Sequence, residues 1–377
     1  MNDKSIEPQT WRNALTAIYV VIFTAIVAAA WIVSLAPSPQ IGWDFPVFYI
    51  AAHLPATLLY SRDAYSAFWR DHLLPIGVPH WAPYVRPAAF ALLLRPLLNL
   101  PYYKALLLWL TGGYVIYAAS VALLLYRFQL PGFLFPAYAA FFPAIVGIAS
   151  GSDVSIYLLA LIGASLLLEC RHDLLAGCVL VACLCKFNLI LLVPVMLLLQ
   201  MRFRALAAFA VGTAIVVAVS LSLAPFTAYA SAVADAEKKT AGFFPVGLRG
   251  FSNAIGQHWC YPVLVVAVVL ISLWLFKVLP CDEAFSVAIT STLLISPYIT
   301  WYDSALLALP LTVIYVRSTQ AVRVACIAIL VAVPLWNRGG GNNGPIGFMH
   351  VGVETLILIF FIRHARAIRS GHSGALQ

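Results

Sequence analysis

The sequence predicts an all-α, polytopic integral membrane protein, and its composition carries that prediction. Hydrophobic residues make up 63% of the 377 residues and charged residues only 10%, whereas soluble domains carry about 25% charged residues. The mean hydropathy is +0.95. A helix pairs its backbone N–H and C=O groups within one segment, as hydrocarbon surroundings require. We expect about 10–12 transmembrane helices, since many apolar runs approach the roughly 20 residues that cross a bilayer.

Twelve apolar segments are candidate spans. The segment 174–200 is long, and Pro194 predicts a break into two half-helices. The second candidate is short and contains Arg95 and Pro96. The candidates lie near 14–36, 87–101, 103–126, 131–149, 152–169, 174–200, 203–224, 261–279, 284–300, 303–316, 322–336 and 347–363.

Basic residues orient these spans. The tail "IRHARAIRSGHSGALQ" and the stretches "MRFRA" and "YVRSTQAVRV" are basic, and Lys and Arg collect on cytoplasmic loops. We therefore place them in the cytoplasm, together with the N-terminus. A single domain, 1–377, then carries two long extracytoplasmic loops at 37–86 and 225–260. Arg127 and Arg171 fit this scheme poorly, so either they have partners or the middle spans are counted wrongly.

Charge and cysteine usage limit the partners. The formal net charge of +8 is explained by cytoplasmic Lys and Arg, so membrane lipids and no nucleic acid are expected. Cys183 and Cys185 are two positions apart and point to different helix faces, which is no zinc site. No DxD pair or His cluster lies on the outer face, and neither a metal nor a cofactor is predicted. Short loops rich in Ala, Leu and Pro favour a bacterial inner membrane.

The first outer loop contains two candidate interfacial helices, "FPVFYIAAHLPATLLY" and "AYSAFWRDHLL". Its aromatic rings are of the kind expected at the level of the lipid headgroups. They are Tyr60, Tyr65, Trp69, Trp81 and Tyr84.

Asp44 is the main candidate for chemistry, because it is an acid between Trp43 and Phe45 at a membrane edge. One interpretation is structural: an Asp N-cap followed by Pro46 is a common helix start. The other is functional, and the two are compatible.

Four polar residues near the membrane are further candidates. Arg86 lies where the outer loop returns to the membrane, and its fork suits a phosphate; lipid headgroups are the alternative. Arg249 and Asn253 form a second polar cluster on the same side, which a solvated loop would also explain. Lys186 lies deep in an apolar run, where a charge needs a partner or a function, and Asp153 is its candidate partner.

Three more ionisable residues lie at predicted outer membrane edges. Asp303 follows a break at Pro297 and adds a second carboxylate near the level of Asp44. His350 and Glu354 begin the last predicted span, where capping explains them.

The order of several motifs resembles the GT-C superfamily of integral membrane glycosyltransferases, in particular glycosyltransferase family 87, the polyprenyl-phosphate-mannose-dependent mannosyltransferase type. The resemblance covers roughly residues 14–363. It rests on "DFPVFY", "PYVRPAAFALLLRPLLNLP", "AGCVLVACLCKFNLILLVPVMLLLQMRFRAL", "GFSNAIG" and "SPYITWYDSALLALP", in that order.

This resemblance implies a GT-C fold that moves a sugar from a polyprenyl-phosphate donor to a lipid or glycan acceptor, with inversion, on the periplasmic face. Asp44 matches the family's acid in the first outer loop, the general base that takes the acceptor proton. The leaving phosphate needs positive donors. The implied substrate-binding residues are Tyr84, Arg86, Lys186, Arg249, Asn253, Tyr302 and Asp303.

The chain departs from the family pattern at three places. "SPYITWYD" stands where the mannosyltransferase branch has the histidine-bearing "SPISWSHH", Gly151-Ser152 stands for "GQ", and Arg86-Pro87 stands for the proline pair of "YPP". These departures leave the donor and acceptor open. Two other functions stay open: a lipid or sugar transporter or flippase, with Lys186 and Asp153 as its critical charges, and a non-catalytic membrane subunit of envelope-polysaccharide assembly.

Overall fold

The structure is a computed structural model, and it describes residues 41–78, 82–139, 141–240, 247–336 and 345–370. The predicted span at 14–36 and most of the tip at 337–345 lie outside the described residues. Within them every regular element is helical, which confirms the predicted all-α class. The α-helices are α1 Phe45–His53, α2 Arg62–Phe68, α3 Ala88–Leu93, α4 Tyr102–Arg127, α5 Phe135–Ala139, α6 Phe142–Ala149, α7 Val154–Glu169, α8 Asp173–Leu180, α9 Val193–Leu199, α10 Phe203–Leu223, α11 Phe226–Thr240, α12 Leu248–Ala254, α13 Cys260–Val278, α14 Cys281–Ile295, α15 Ala308–Arg317, α16 Gln320–Trp336 and α17 Pro345–Arg369.

Three of the described helices, α4, α10 and α13, are long and apolar enough to cross a membrane. They match the candidate spans at 103–126, 203–224 and 261–279. Their outward faces carry large exposed apolar side chains, for example Val211 and Ile215 on α10. A helix that is apolar on its exposed face is stable against lipid, so these helices form the membrane-facing part of the fold.

Four other candidate spans are not continuous α-helices. The segment 87–101 is the short helix α3 followed by a 3-10 helix at Arg95–Asn99. The segment 131–149 divides into a 3-10 turn, α5 and α6, and the segment 303–316 starts as a 3-10 helix at Trp301–Leu307 before α15. Proline explains the first break, because Pro96 cannot donate a helical hydrogen bond.

The fourth interrupted segment, 174–200, is broken earlier than predicted. The helix α8 ends at Leu180 and a 3-10 stretch, Val181–Leu189, follows; Lys186 in it has a non-helical backbone at φ −136° and ψ 68°. Pro194 lies in the first turn of α9, so the predicted proline effect is present. At this additional break the Lys186 backbone is non-helical, and the side chain contacts Asp303.

The first outer loop folds as a packed unit. The helix α1 is almost wholly buried, and Tyr65 and Tyr84 are each 1% exposed. The indole N–H of Trp69 donates to the Val78 carbonyl (2.9 Å). Tyr65 and Tyr84 therefore form part of the core of the loop itself, and the level of these rings relative to the lipid headgroups stays a prediction.

The core of the remaining protein is built around α14. Every residue from Glu283 to Ile295 is buried, and α13, α15 and α17 pack against this helix. The predicted outlier Arg127 has a partner: its guanidinium lies 2.8 Å from the Glu169 carboxylate and donates to Ser165 (2.7 Å). That ion pair joins the C-terminal ends of α4 and α7.

Candidate active site

Asp44 is fixed by the turn that follows α6. Its backbone N–H donates to the Ser150 carbonyl at 2.6 Å. The next residue of that turn, Gly151, has φ +81°, and a Cβ there would lie 2.8 Å from the Cβ of Phe45. A glycine is required at this point, because only glycine adopts this conformation at no cost and leaves room for α1. The backbone around Asp44 is therefore held between two elements that are distant in sequence.

The side chain of Asp44 does not cap α1. The helix starts at Phe45 as predicted, but the carboxylate makes no capping hydrogen bond. Its Oδ2 instead accepts from the Tyr302 hydroxyl at 2.7 Å. The Ser150 hydroxyl lies 3.2 Å from the same oxygen, but the Gly147 carbonyl, at 2.8 Å, is the closer acceptor for its one proton. Burial raises the pKa of Asp44, and the hydrogen bond from Tyr302 opposes that rise. The purely structural interpretation of this acid as a helix cap is therefore wrong.

Lys186 and Asp303 form a buried ion pair. The lysine Nζ lies 2.5 Å and 2.6 Å from the two carboxylate oxygens. The predicted partner of Lys186, Asp153, is therefore wrong as a direct contact. Asp303 also accepts from the backbone N–H and the hydroxyl of Thr300, each at 2.9 Å, so it caps the 3-10 helix Trp301–Leu307. The carboxylate therefore neutralises the lysine and also accepts the hydrogen bonds that cap the first turn of the 3-10 helix.

Arg86 and Asp153 form the second ion pair, at 3.3 Å. Asp153 accepts a further hydrogen bond from the Tyr157 hydroxyl and lies 3.7 Å from the Cys185 sulfur. The arginine side chain is 17% exposed and that of Asp153 is 5% exposed. One terminal nitrogen of the guanidinium holds the buried acid, so the rest of the fork can receive an anion from outside.

Tyr302 connects the first ion pair to Asp44. It precedes Asp303 in the chain, and the Lys186 Nζ lies 5.4 Å from the centre of its ring. The charges of Lys186 and Asp153 both act on Asp44, the first lowering and the second raising its pKa. We call Asp44, Arg86, Asp153, Lys186, Tyr302 and Asp303 the charged cluster. Asp44, Arg86 and Tyr302 are partly exposed, and the other three members are buried.

The structure does not bring every predicted site residue into this cluster. Tyr84 is buried and its hydroxyl faces the Pro87 carbonyl (3.4 Å). The Arg249 guanidinium lies 5.8 Å from the Tyr298 ring centre, in the segment that leads to Tyr302. The Asn253 amide oxygen is 2.9 Å from the His258 Nδ1 on the exposed surface, away from the cluster.

Four contacting residues were missed by sequence reasoning: Ser150, Tyr157, Cys185 and Thr300. Tyr157 had a usable signal, because it follows Asp153 by four residues at the start of a predicted helix, and such residues share a face. Ser150 and Cys185 had none.

His350 and Glu354 are not helix caps, which corrects the prediction for both. The helix α17 begins at Pro345, so both lie inside it. The His350 Nδ1 is 2.8 Å from the Ser304 hydroxyl. Glu354 is 1% exposed, and its Oε2 has no hydrogen-bond partner among the described residues.

A groove of about 160 Å³ is lined by residues of α4 and of the start of α7, and Asp153 of the charged cluster is one of them. Gly112 widens it, since a Cβ there would meet no atom within 4 Å. The described residues contain no group of three His, Cys, Asp or Glu side chains placed to hold a metal ion. The lining residues are Leu97, Leu108, Trp109, Gly112, Gly113, Ile116, Ser152, Asp153, Ser155 and Ile156.

Apolar spanning helices around two ion pairs and a partly exposed carboxylate define a membrane protein with a polar site at the edge of its helical core. The family model for glycosyltransferase family 87 matches residues 84–297, more than half of the chain. The chain therefore belongs to glycosyltransferase family 87, and it is a membrane glycosyltransferase. The matched region includes Arg86, Asp153 and Lys186, whereas Asp44 and Tyr302 lie on either side of it. No curated protein and no solved structure matches the chain.

Proposed function

We propose that this glycosyltransferase moves a sugar, mannose or another hexose or pentose, from a polyprenyl-phosphate donor to a hydroxyl of a lipid or glycan acceptor. The transfer inverts the anomeric carbon, and Asp44 is its general base. The observation that carries the proposal is the surroundings of Asp44: a half-buried residue whose carboxylate accepts a side-chain hydrogen bond from Tyr302 and makes no capping hydrogen bond to α1.

The proposed reaction is an in-line displacement. Asp44 takes the proton of the acceptor hydroxyl while that oxygen bonds to the anomeric carbon, and the bond between this carbon and the phosphate oxygen breaks with its electron pair going to the phosphate. A base whose pKa is raised by burial accepts a proton more readily than an exposed aspartate. No metal is needed for this sequence of bond changes if cationic side chains receive the leaving phosphate.

Arg86 is the side chain best placed to receive that phosphate. It is partly exposed, and Asp153 holds only one of its terminal nitrogens among the described contacts. Its backbone is also anchored, because the Tyr60 hydroxyl donates to the Arg86 carbonyl at 2.8 Å. A planar guanidinium fixed in this way presents a fork that matches two phosphate oxygens.

The other predicted substrate residues take less direct roles in this proposal. Lys186 makes no direct substrate contact in the proposal, since its ammonium is engaged by Asp303; it acts on the site by lowering the pKa of Asp44. Arg249 and Asn253 lie farther along the same face and are proposed as contacts for the acceptor. Tyr84 packs in the loop core and shapes the wall beside Arg86.

The groove along α4 supports a lipid-linked donor. It lies on a helix that is apolar enough to span a membrane and ends beside Asp153, the partner of Arg86. A hydrocarbon chain in the groove would place its phosphate near the arginine. With basic segments in the cytoplasm, we propose that the site faces the periplasm of a bacterial inner membrane.

Asp44→Asn tests the proposal directly. Asparagine keeps the shape of the side chain and can still accept from Tyr302, but it cannot take a proton. Membranes carrying the wild type or this variant are supplied with radiolabelled polyprenyl-phosphate mannose and a cell lipid extract. We expect the variant to lose about 10²- to 10⁴-fold of the transfer rate, the range for a lost general base.

Asp71→Asn is the matched control, because Asp71 is an exposed acid in the same loop. Equal transfer by wild type and Asp44→Asn would refute the role of the base. Absence of transfer in the wild type, repeated with other carrier-linked sugars, would refute the polyprenyl-phosphate donor.

A further inference from the structure

The position of Tyr302 is set independently of Asp44. It lies in the first turn of the 3-10 helix Trp301–Leu307, which the side chains of Thr300 and Asp303 cap in a reciprocal pair of hydrogen bonds. Asp303 is in turn held by Lys186. A helix start fixed by a cap and by an ion pair gives the tyrosine a defined backbone before it meets the carboxylate.

A glycine on α6 lets the tyrosine approach the turn that holds Asp44. A Cβ on Gly147 would lie 3.2 Å from the Cβ of Tyr302 and 2.8 Å from Val154. Without a side chain at this position, the 3-10 helix packs closely on α6. The Tyr302 hydroxyl then reaches Asp44 together with the Ser150 hydroxyl.

One oxygen of the carboxylate is held by a phenol. Tyr302 donates to Oδ2 at 2.7 Å. The Ser150 hydroxyl lies 3.2 Å from the same oxygen, but its single proton has a closer acceptor in the Gly147 carbonyl at 2.8 Å. We infer that Tyr302 is a positioning residue that holds Oδ2 of Asp44 and leaves Oδ1 as the oxygen that meets the acceptor hydroxyl. The inference rests on the proposed role of Asp44 and deepens it, because it assigns the two oxygens different tasks.

Loss of this hydrogen bond changes the titration of Asp44 in a defined direction. The phenol donates to the charged carboxylate, so its removal favours the protonated form and raises the pKa of Asp44 further. The other charges that face Asp44 are Lys186, from the stretch after α8, and Asp153, from the start of α7. Both stay in place in Tyr302→Phe, which also keeps the ring beside the Lys186 ammonium.

The test titrates Asp44 without any sugar substrate. Full-length protein in detergent micelles is treated with a hydrophobic carbodiimide, which reacts with protonated carboxyl groups, and labelling of Asp44 is measured by mass spectrometry between pH 4 and pH 9, a window of about five units chosen to include the model-peptide value. In Tyr302→Phe we expect the midpoint to move upward by about one to two pH units, the equivalent of one lost hydrogen bond to a charged group. Ser150→Ala should move the midpoint less than Tyr302→Phe does, because the Gly147 carbonyl, at 2.8 Å, is the closer acceptor for the Ser150 proton.

Tyr298→Phe is the control, because it removes a hydroxyl from a tyrosine of the same connecting segment whose ring lies by Arg249. An unmoved midpoint in Tyr302→Phe would overturn the inference. If Tyr302→Phe does not fold, 3-fluorotyrosine at position 302 decides: its more acidic phenol should lower the midpoint, and no downward shift overturns the inference. A shift in labelling with an inactive wild type would support the positioning role while refuting the proposed function.

Transfer kinetics give the second readout. In Tyr302→Phe we expect the acid side of the pH–rate profile of kcat to move upward with the labelling midpoint, and we expect the donor KM to stay within about twofold, since no donor contact is removed. A raised donor KM with an unmoved acid side would make Tyr302 a substrate ligand and would overturn the inference.

Discussion

Replacing Lys186 by methionine would leave Asp303 as a charge in the protein interior without its cation. Asp303 is 0% exposed, and Lys186 contacts both of its oxygens. Breaking a buried ion pair from one side destabilises a protein by about 3–5 kcal/mol, because the remaining charge is not solvated. The two hydrogen bonds from Thr300 remain in the variant. We therefore expect a loss at the lower end of that range, about 3 kcal/mol in the free energy of unfolding.

The assay is unfolding in mixed micelles with increasing denaturing detergent, followed by the fluorescence of the ten tryptophans. Arg202→Met is the matched control, because its ion pair with Asp173 has a 3.2 Å separation but side chains that are 23% and 17% exposed. Exposed pairs contribute about 0–1 kcal/mol.

The double variant Lys186→Met, Asp303→Asn distinguishes the loss of the ion pair from the penalty of leaving a buried carboxylate without its cation. Asparagine carries no charge, so we expect the double variant to be less destabilised than the sum of the two single variants. The importance of the buried ion pair is refuted if Lys186→Met lowers the free energy of unfolding no more than Arg202→Met does. It is also refuted if the effects of Lys186→Met and Asp303→Asn simply add in the double variant.

Two further predictions concern other parts of the fold. Gly151→Ala should lower the free energy of unfolding by about 2 kcal/mol or more and should also lower the transfer rate, since it forces an alanine with a left-handed backbone against Phe45. A variant with the unfolding and the transfer rate of the wild type would contradict this prediction. Asp153→Asn should weaken donor binding about tenfold through the loss of the Arg86 counter-ion, with kcat nearly unchanged; an unaltered donor KM would show that this pair does not orient the arginine.

Hydropathy predicted the helices that face lipid, because α4, α10 and α13 are apolar over their whole length. It failed for the segment 174–200, where Lys186 interrupts the helix without a glycine or proline beside it. At that break Lys186 pairs with Asp303, a carboxylate 117 residues away in the chain. Such an interaction between distant segments leaves no local pattern in the sequence.

The sequence predicted only part of the candidate site, because contacts between distant segments leave no local pattern. The residue types at Asp44, Arg86 and Lys186 are unusual at a membrane edge, so a single sequence is enough to notice them. Their pairing is a property of the tertiary fold, in which Lys186 pairs with Asp303 and Arg86 pairs with Asp153. Ser150 is a common small residue in a turn, and only the folded backbone reveals that it donates to Asp44.

The burial of α14 has a consequence for how the chain enters the membrane during synthesis. The helix has 15 residues, which span about 22 Å, less than the roughly 30 Å of a hydrocarbon core. It carries Ser286, Thr290, Ser291 and Thr292, all buried against other helices. A segment this short and polar is a weak substrate for the insertion machinery when it emerges alone. Its insertion therefore depends on α13 before it and α15 after it, and a nascent chain arrested near Ile295 should remain accessible from the side on which it was made.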